Sequence, residues 1–166
     1  MMQEGESAGL DPREPKQVLF LCTGNYYRSR FAECLFNLLA GKMGLPWTAS
    51  SRGLALERGM NNVGAMEVTA IKALEAHGLR GSADFARFPM QVSVDDLESA
   101  DLIIALKKAE HMPLLQERFP TWIDKVEYWQ VDDAPVALAV IEREIMDLTE
   151  RLREEDKRGE QKAGGG

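Results

Sequence analysis

Two short, unbroken apolar runs set the frame for this chain. Val18-Leu19-Phe20-Leu21 follows Pro15, and Leu102-Ile103-Ile104-Ala105-Leu106 lies far downstream. A run that is apolar at every position and this short suits a strand buried on both faces, the kind found in parallel sheets covered by helices on each side. Segments of helical spacing stand between and after these runs. From Ser29, the residues Phe31, Leu35, Leu38 and Leu39 recur along one helix face up to Gly41, which is expected to end it. Val68, Ile71 and Leu74 make a second stripe, stopped by His77-Gly78, and Ser93 with Asp96 forms a capping-box pattern opening a short helix. Met112, Leu115 and Phe119 make another stripe, closed by Pro120, and Ile141, Ile145, Leu148 and Leu152 define a long final helix. Weaker strand signals lie at Trp47–Ser51 and Val126–Trp129. The alternation predicts an α/β fold: a three-layer, doubly wound sheet of four parallel strands with helices on both faces.

The 166 residues suffice for one core and not for two. Residues 1–16, rich in Gly, Pro and acids, are expected to be a flexible lead-in, residues 17–155 the folded domain, and residues 156–166 a flexible tail. Asp and Glu number 27 against 20 Lys and Arg, a net charge of -7, which argues against nucleic acid or an acidic membrane as partner. No apolar run approaches a membrane span, and no basic-then-apolar leader precedes the first strand, so a cytoplasmic protein is expected. The cysteines are Cys22 and Cys34 and the histidines His77 and His111. That set makes neither a disulfide scaffold, nor an all-Cys zinc site, nor a His-rich metal centre.

In doubly wound sheets ligands bind at the carboxyl ends of the strands, which directs attention to the loops starting at Cys22, Ser51, Lys107 and Gln130. The first of these, Cys22-Thr23-Gly24-Asn25-Tyr26-Tyr27-Arg28-Ser29, lies where a buried strand turns into a helix. A cysteine there sits beneath a helix N-terminus, whose free N–H groups and dipole favour the thiolate. The residues between Cys22 and Arg28 can curl so that their amides converge on a phosphate-sized anion. Gly24 is expected to supply the unusual backbone angles, Asn25 to brace the loop, Arg28 to take two phosphate oxygens at once, and Ser29 to set its hydroxyl against the sulfur. The alternative for Cys22 is a small core residue at a strand end. Thr23, Gly24, Asn25, Tyr26, Tyr27, Arg28 and Ser29 are thus the candidate phosphate-binding residues.

The stretch Val-Leu-Phe-Leu-Cys22-Thr-Gly-Asn-x-x-Arg28-Ser29 resembles the signature of the low-molecular-weight protein tyrosine phosphatases. Ser51-Arg-Gly-Leu54, Asn62-Val-Gly64, Ala70-Ile71-x-Ala-Leu74, Ala100–Ala105 and Trp129-Gln-Val-Asp-Asp133 are similar to further segments of that family. The resemblance implies a phosphomonoester hydrolase with Cys22, Arg28 and Asp133 as catalytic residues. Cys22 would attack phosphorus and form a cysteinyl-phosphate, with Asp133 as general acid and then base. It implies no metal and no cofactor, since backbone dipoles and Arg28 do that work. The implied partner is a phosphorylated protein or small phosphomonoester, met by a monomer or weak dimer.

Three departures from the family bear on activity. Tyr27 replaces a cysteine that would form a protective disulfide on oxidation. Arg30 replaces a proline, placing a charge expected at the pocket mouth. Asp133-Ala-Pro135 leads to Val136 where family members carry aromatics. Tyr26 and Tyr27 either supply the missing wall or are loop packing. Family relatives acting on phosphoarginine carry a threonine at the place of Tyr26, which argues against that substrate. Asp132 is the other possible acid, with its place relative to Val131 and Pro135 favouring Asp133. His111 reads as a surface or capping residue, His77 as a helix C-terminal residue, and Cys34 as a core thiol. The rival functions are an arsenate reductase drawing on an external thiol, since no relay cysteines follow Cys34, and a phosphate-binding module without efficient catalysis.

Overall fold

The computed structural model describes residues 14–132 and 135–165. Strand β1 is Lys16–Cys22, and from Val18 to Cys22 every residue is buried. Alternate side chains of β1 go to opposite faces. Val18 and Phe20 pack into one core cluster and Leu19 and Leu21 into another, which is why the run is apolar throughout. Strands β2 (Trp47–Gly53), β3 (Leu102–Ala105) and β4 (Glu127–Tyr128) complete the sheet. All pair in parallel, in the order β2-β1-β3-β4. The winding direction therefore reverses between β1 and β3, the place where a doubly wound sheet opens a ligand crevice.

Helix α1 (Arg28–Met43), α2 (Val68–Ala76) and the long α5 (Ala137–Gly165) lie on the Phe20 face. The short α3 (Val94–Ser99) and α4 (Lys108–Arg118) cover the Leu19 face. The expected three-layer α/β architecture is the one formed. Ile141, Ile145, Leu148 and Leu152 are all buried along α5, each contributing about 1.5–3 kcal/mol of apolar burial. The backbone of α5 is helical through Gly165, past residue 155 where the domain was expected to end. Ser93 and Asp96 form a full capping box at α3. Helix α1 runs through Gly41 and stops at Gly44, whose φ of 66° is the left-handed cap that Gly41 was expected to provide.

Candidate active site

The carboxyl end of β1 brings Cys22 to the sheet edge, and α1 begins six residues later at Arg28. Two groups converge on the Cys22 sulfur. The Asn25 backbone N–H donates to it at 3.2 Å, so the loop curls back over Sγ, and Ser29 Oγ lies 2.9 Å away. Ser29 Oγ already accepts from Asn25 Nδ2 at 2.9 Å, which leaves its own proton for the sulfur.

Asn25 organises the loop. It is fully buried, and it is the one non-glycine residue with positive φ, 53°, among those described. Asparagine tolerates that conformation better than most residues. The special backbone angle thus falls on Asn25, whereas Gly24 was expected to supply it. All four hydrogen-bonding valences of its amide are used. Nδ2 donates to Ser29 and Ser51, and Oδ1 accepts from the Met90 N–H at 2.9 Å and Arg87 at 3.3 Å. Ser51 passes the chain on to Glu33, which pairs with Arg87 at 3.1 Å. Gly53, opposite Cys22 in the ladder, lets β2 come this close; a Cβ there would meet the Thr23 carbonyl oxygen at 2.8 Å.

Arg28 is buried, with its guanidinium spanning to the far side of the crevice. Nη1 donates to the Val131 carbonyl at 3.1 Å and Nη2 to Glu110 Oε2 at 2.7 Å. The same carboxylate oxygen accepts from the Thr23 hydroxyl and lies 3.3 Å from His111 Nε2. The adjacent His111 ring, the Arg28 guanidinium and the Thr23 hydroxyl hold the Glu110 carboxyl well below the usual carboxylate range, against the opposing effect of burial. Glu110 carries no sequence signal, since a single Glu in the first turn of a helix reads as a dipole partner. His111, expected to be a surface or capping residue, is fully buried and not at the surface; its Nδ1 accepts from the N–H of Lys107 at 2.9 Å, a capping contact at the helix start.

An open pocket of about 670 Å³ lies over the sulfur, large enough for a phosphate with a side chain attached. Its walls include Cys22, Thr23, Gly24, Tyr26, Tyr27, Asn62, Glu110 and the exposed Arg58. Both tyrosines are half-buried; Tyr26 donates its hydroxyl to the Val63 carbonyl, and Tyr27 also packs against the core. Arg30 is not at the mouth. It is 1% exposed and donates to the carbonyls of Asn25, Ala65 and Asp84, fastening the loop to the segments that wall the pocket. Asp132 is exposed and pairs with Lys107 at 2.8 Å, while Asp133 lies outside the described residues. Among the described residues, no group of three or more His, Cys, Asp or Glu side chains gathers as a metal site would. No helix among them is long and apolar enough to cross a membrane.

A strand-end cysteine under a helix start, with an arginine closing the loop, is the arrangement of a phosphate-handling thiol enzyme. Residues 17–158 match the family model described as low molecular weight phosphotyrosine protein phosphatase. The chain belongs to this family. It is a phosphatase. Protein-arginine-phosphatase of Bacillus subtilis (strain 168) is 29% identical over 110 residues, 66% of this chain and 67% of that protein. The fold is that of YfkJ from Bacillus subtilis, with a TM-score of 0.70 and 24% identity over 84% of this chain and 96% of that one. It is also that of a low molecular weight protein tyrosine phosphatase from T. tengcongensis, with a TM-score of 0.63 and 24% identity over 86% and 99% of the two chains.

Proposed function

We propose that this phosphatase hydrolyses phosphomonoesters, with phosphotyrosine on proteins as the substrate class, through a cysteinyl-phosphate. The observation that carries the reading is the Cys22 sulfur. It receives the Asn25 N–H and faces the Ser29 hydroxyl, at the foot of a pocket that Arg28 also lines. Cys22 Sγ attacks phosphorus, and the bond to the leaving oxygen breaks as Asp133 gives that oxygen its proton. Water then attacks phosphorus, Asp133 takes the water's proton, the S–P bond breaks, and inorganic phosphate departs. Loop amides and Arg28 hold the equatorial oxygens, where charge spreads in phosphoryl transfer. The Ser29 proton receives the sulfur as it leaves. Tyr26 and Tyr27 give the aromatic ring of the substrate a face to stack on.

One observation favours a second reading. Glu110 sets a carboxylate at the rim, and its Oε1 has no hydrogen-bond partner among the described residues. A carboxylate there suits the guanidinium of phosphoarginine, the substrate named for the Bacillus relative. Steady-state assays on p-nitrophenyl phosphate, a phosphotyrosyl peptide and a phosphoarginyl peptide, with wild type and Cys22→Ser, test both. The expected result is turnover that is highest on the aryl esters and abolished by Cys22→Ser. No turnover of any phosphate ester would leave a phosphate-binding module, and thiol-dependent reduction of arsenate in its place would identify a reductase.

A further inference from the structure

The formal charges of Arg and Glu around the pocket sum to zero, yet one arginine is left without a paired carboxylate among the described residues, and it points to a second feature of the substrate. Four formally charged side chains of Arg and Glu line it: Arg28, Arg58, Glu67 and Glu110. Arg28 and Glu110 pair with each other at 2.7 Å. Glu67 caps α2, accepting from both the backbone N–H and the hydroxyl of Thr69. Arg58 alone among these four has no hydrogen-bonded or ion-paired side-chain partner among the described residues. Its sequence neighbour Glu57 is engaged by Arg118, so the nearest carboxylate in sequence is already committed.

The turn that carries Arg58 is fixed. It spans Leu56–Gly59, and Arg118 ties it down by pairing with Glu57 and donating to the Leu54 carbonyl at 2.8 Å. The Leu56 N–H donates to Gln91, and the Arg58 N–H to the Ala55 carbonyl at 3.0 Å. Gly59 packs against the phosphate loop, its Cα 3.8 Å from the place of a Gly24 Cβ, and the Asn62 amide lies over Gly59 where a side chain would collide with it at 2.8 Å. An exposed cation is thus held at the rim by an ordered backbone, one step from the bed of the phosphoryl group.

We infer that Arg58 recognises a second negative charge on the substrate: a carboxylate of a residue flanking the phosphorylated side chain in a peptide. This deepens the phosphatase reading and rests on it. The protein's own net charge of -7 would repel an acidic peptide, and Arg58 supplies a local attraction for the flanking carboxylate while Arg28 and the loop amides serve the phosphoryl group.

The test compares two phosphotyrosyl peptides that differ only in flanking Asp or Asn, on wild type, Arg58→Gln and Arg58→Glu. An exposed ion pair predicts that wild type prefers the Asp peptide by about three- to fivefold in kcat/KM at low salt. The preference should shrink toward one in Arg58→Gln, invert in Arg58→Glu, and fade in wild type as salt rises. Binding of both peptides to Cys22→Ser, with and without Arg58→Gln, gives the same comparison without chemistry. Equal treatment of the two peptides by wild type, or a preference that survives Arg58→Gln, overturns the inference. If wild type turns over p-nitrophenyl phosphate while treating the peptides alike, only this inference fails. If it does not turn over the ester, the phosphatase mechanism fails, and the binding comparison still decides on Arg58.

Discussion

Arg28 donates to Glu110 at 2.7 Å, and this contact joins the loop after β1 to the first turn of α4 across the sheet's switch point. It presents the guanidinium to the pocket from a fixed direction, with Nη1 anchored on the Val131 carbonyl. Glu110→Gln keeps the shape and removes the charge. A charge-assisted hydrogen bond contributes about 1.5–3 kcal/mol, so kcat/KM for an aryl phosphate should fall on the order of tenfold. Unchanged kinetics would mean that Arg28 holds its place without the carboxylate.

The same pair makes a pH prediction. The Glu110 carboxyl is held below its ordinary value of 4.5, so its contribution to stability is complete above that pH and is lost as pH falls toward its depressed value. Urea midpoints measured below pH 4.5 should therefore drop less steeply for Glu110→Gln than for wild type. Parallel curves would count against the pair.

Asn25 combines a left-handed backbone with four side-chain hydrogen bonds in a fully buried place. Asn25→Ala leaves Ser29, Ser51 and the Met90 N–H short of a partner, which should cost on the order of 3 kcal/mol and lower kcat as well. Asn25→Asp tests the donors separately, since a carboxylate cannot give hydrogens to both serines. Thermal melts with rates at a permissive temperature distinguish loss of fold from loss of Ser29 alignment.

The two cysteines should differ sharply in reactivity. Burial and the nearby Glu33 push the Cys34 thiol up to about 12, so it stays protonated and unreactive in the folded protein. Iodoacetamide at neutral pH should label Cys22 alone, and phosphate should protect it. With Tyr27 beside the loop arginine, peroxide should carry Cys22 to sulfenic acid and beyond without an internal bridge. Peptide mapping that finds Cys34 labelled first, or a Cys22–Cys34 disulfide as the main product, would contradict this.

How far the residues alone disclose this molecule depends on the kind of signal. The sheet, its helical layers and the Cys22 loop are legible because burial on both faces leaves an uninterrupted apolar run, and because the loop needs its residue types in a fixed order. Arg30 is misleading: an arginine beside a binding loop reads as a charge at the mouth, yet three backbone carbonyls from distant segments claim it. Glu110 is invisible for the related reason that its partners, Thr23 and Arg28, are chosen by tertiary packing, whereas the capping contact of His111 with the Lys107 N–H is local and only its burial was not legible. Gly41 and Gly44 both suit a helix end, and spacing could not choose between them.

Arg30→Gln removes the donors to three backbone carbonyls. Its main effect should be on stability, on the order of 3 kcal/mol from carbonyls left without donors, with a lowered melting temperature. If it instead changed peptide charge preference at unaltered stability, the side chain would have to reach the mouth.

The general acid can be assigned by leaving-group dependence. Asp132 pairs with Lys107 at 2.8 Å, and the proton donor proposed above is Asp133. General acids contribute about 10²–10⁴-fold and matter most for poor leaving groups. Asp133→Asn should slow phosphotyrosine hydrolysis far more than p-nitrophenyl phosphate hydrolysis, and flatten the alkaline limb of the rate profile. Asp132→Asn should preserve both features; exchanged behaviour would move the role to Asp132.

Rapid acid quench during turnover of an aryl phosphate, followed by peptide mass spectrometry, tests the central claim most directly. A phosphoryl group should appear on the peptide carrying Cys22, rise within the first turnover, and accumulate further in Asp133→Asn if the hydrolytic step becomes limiting. Continued turnover with Cys22 unmodified, or with the phosphoryl group on another residue, would contradict a cysteinyl-phosphate.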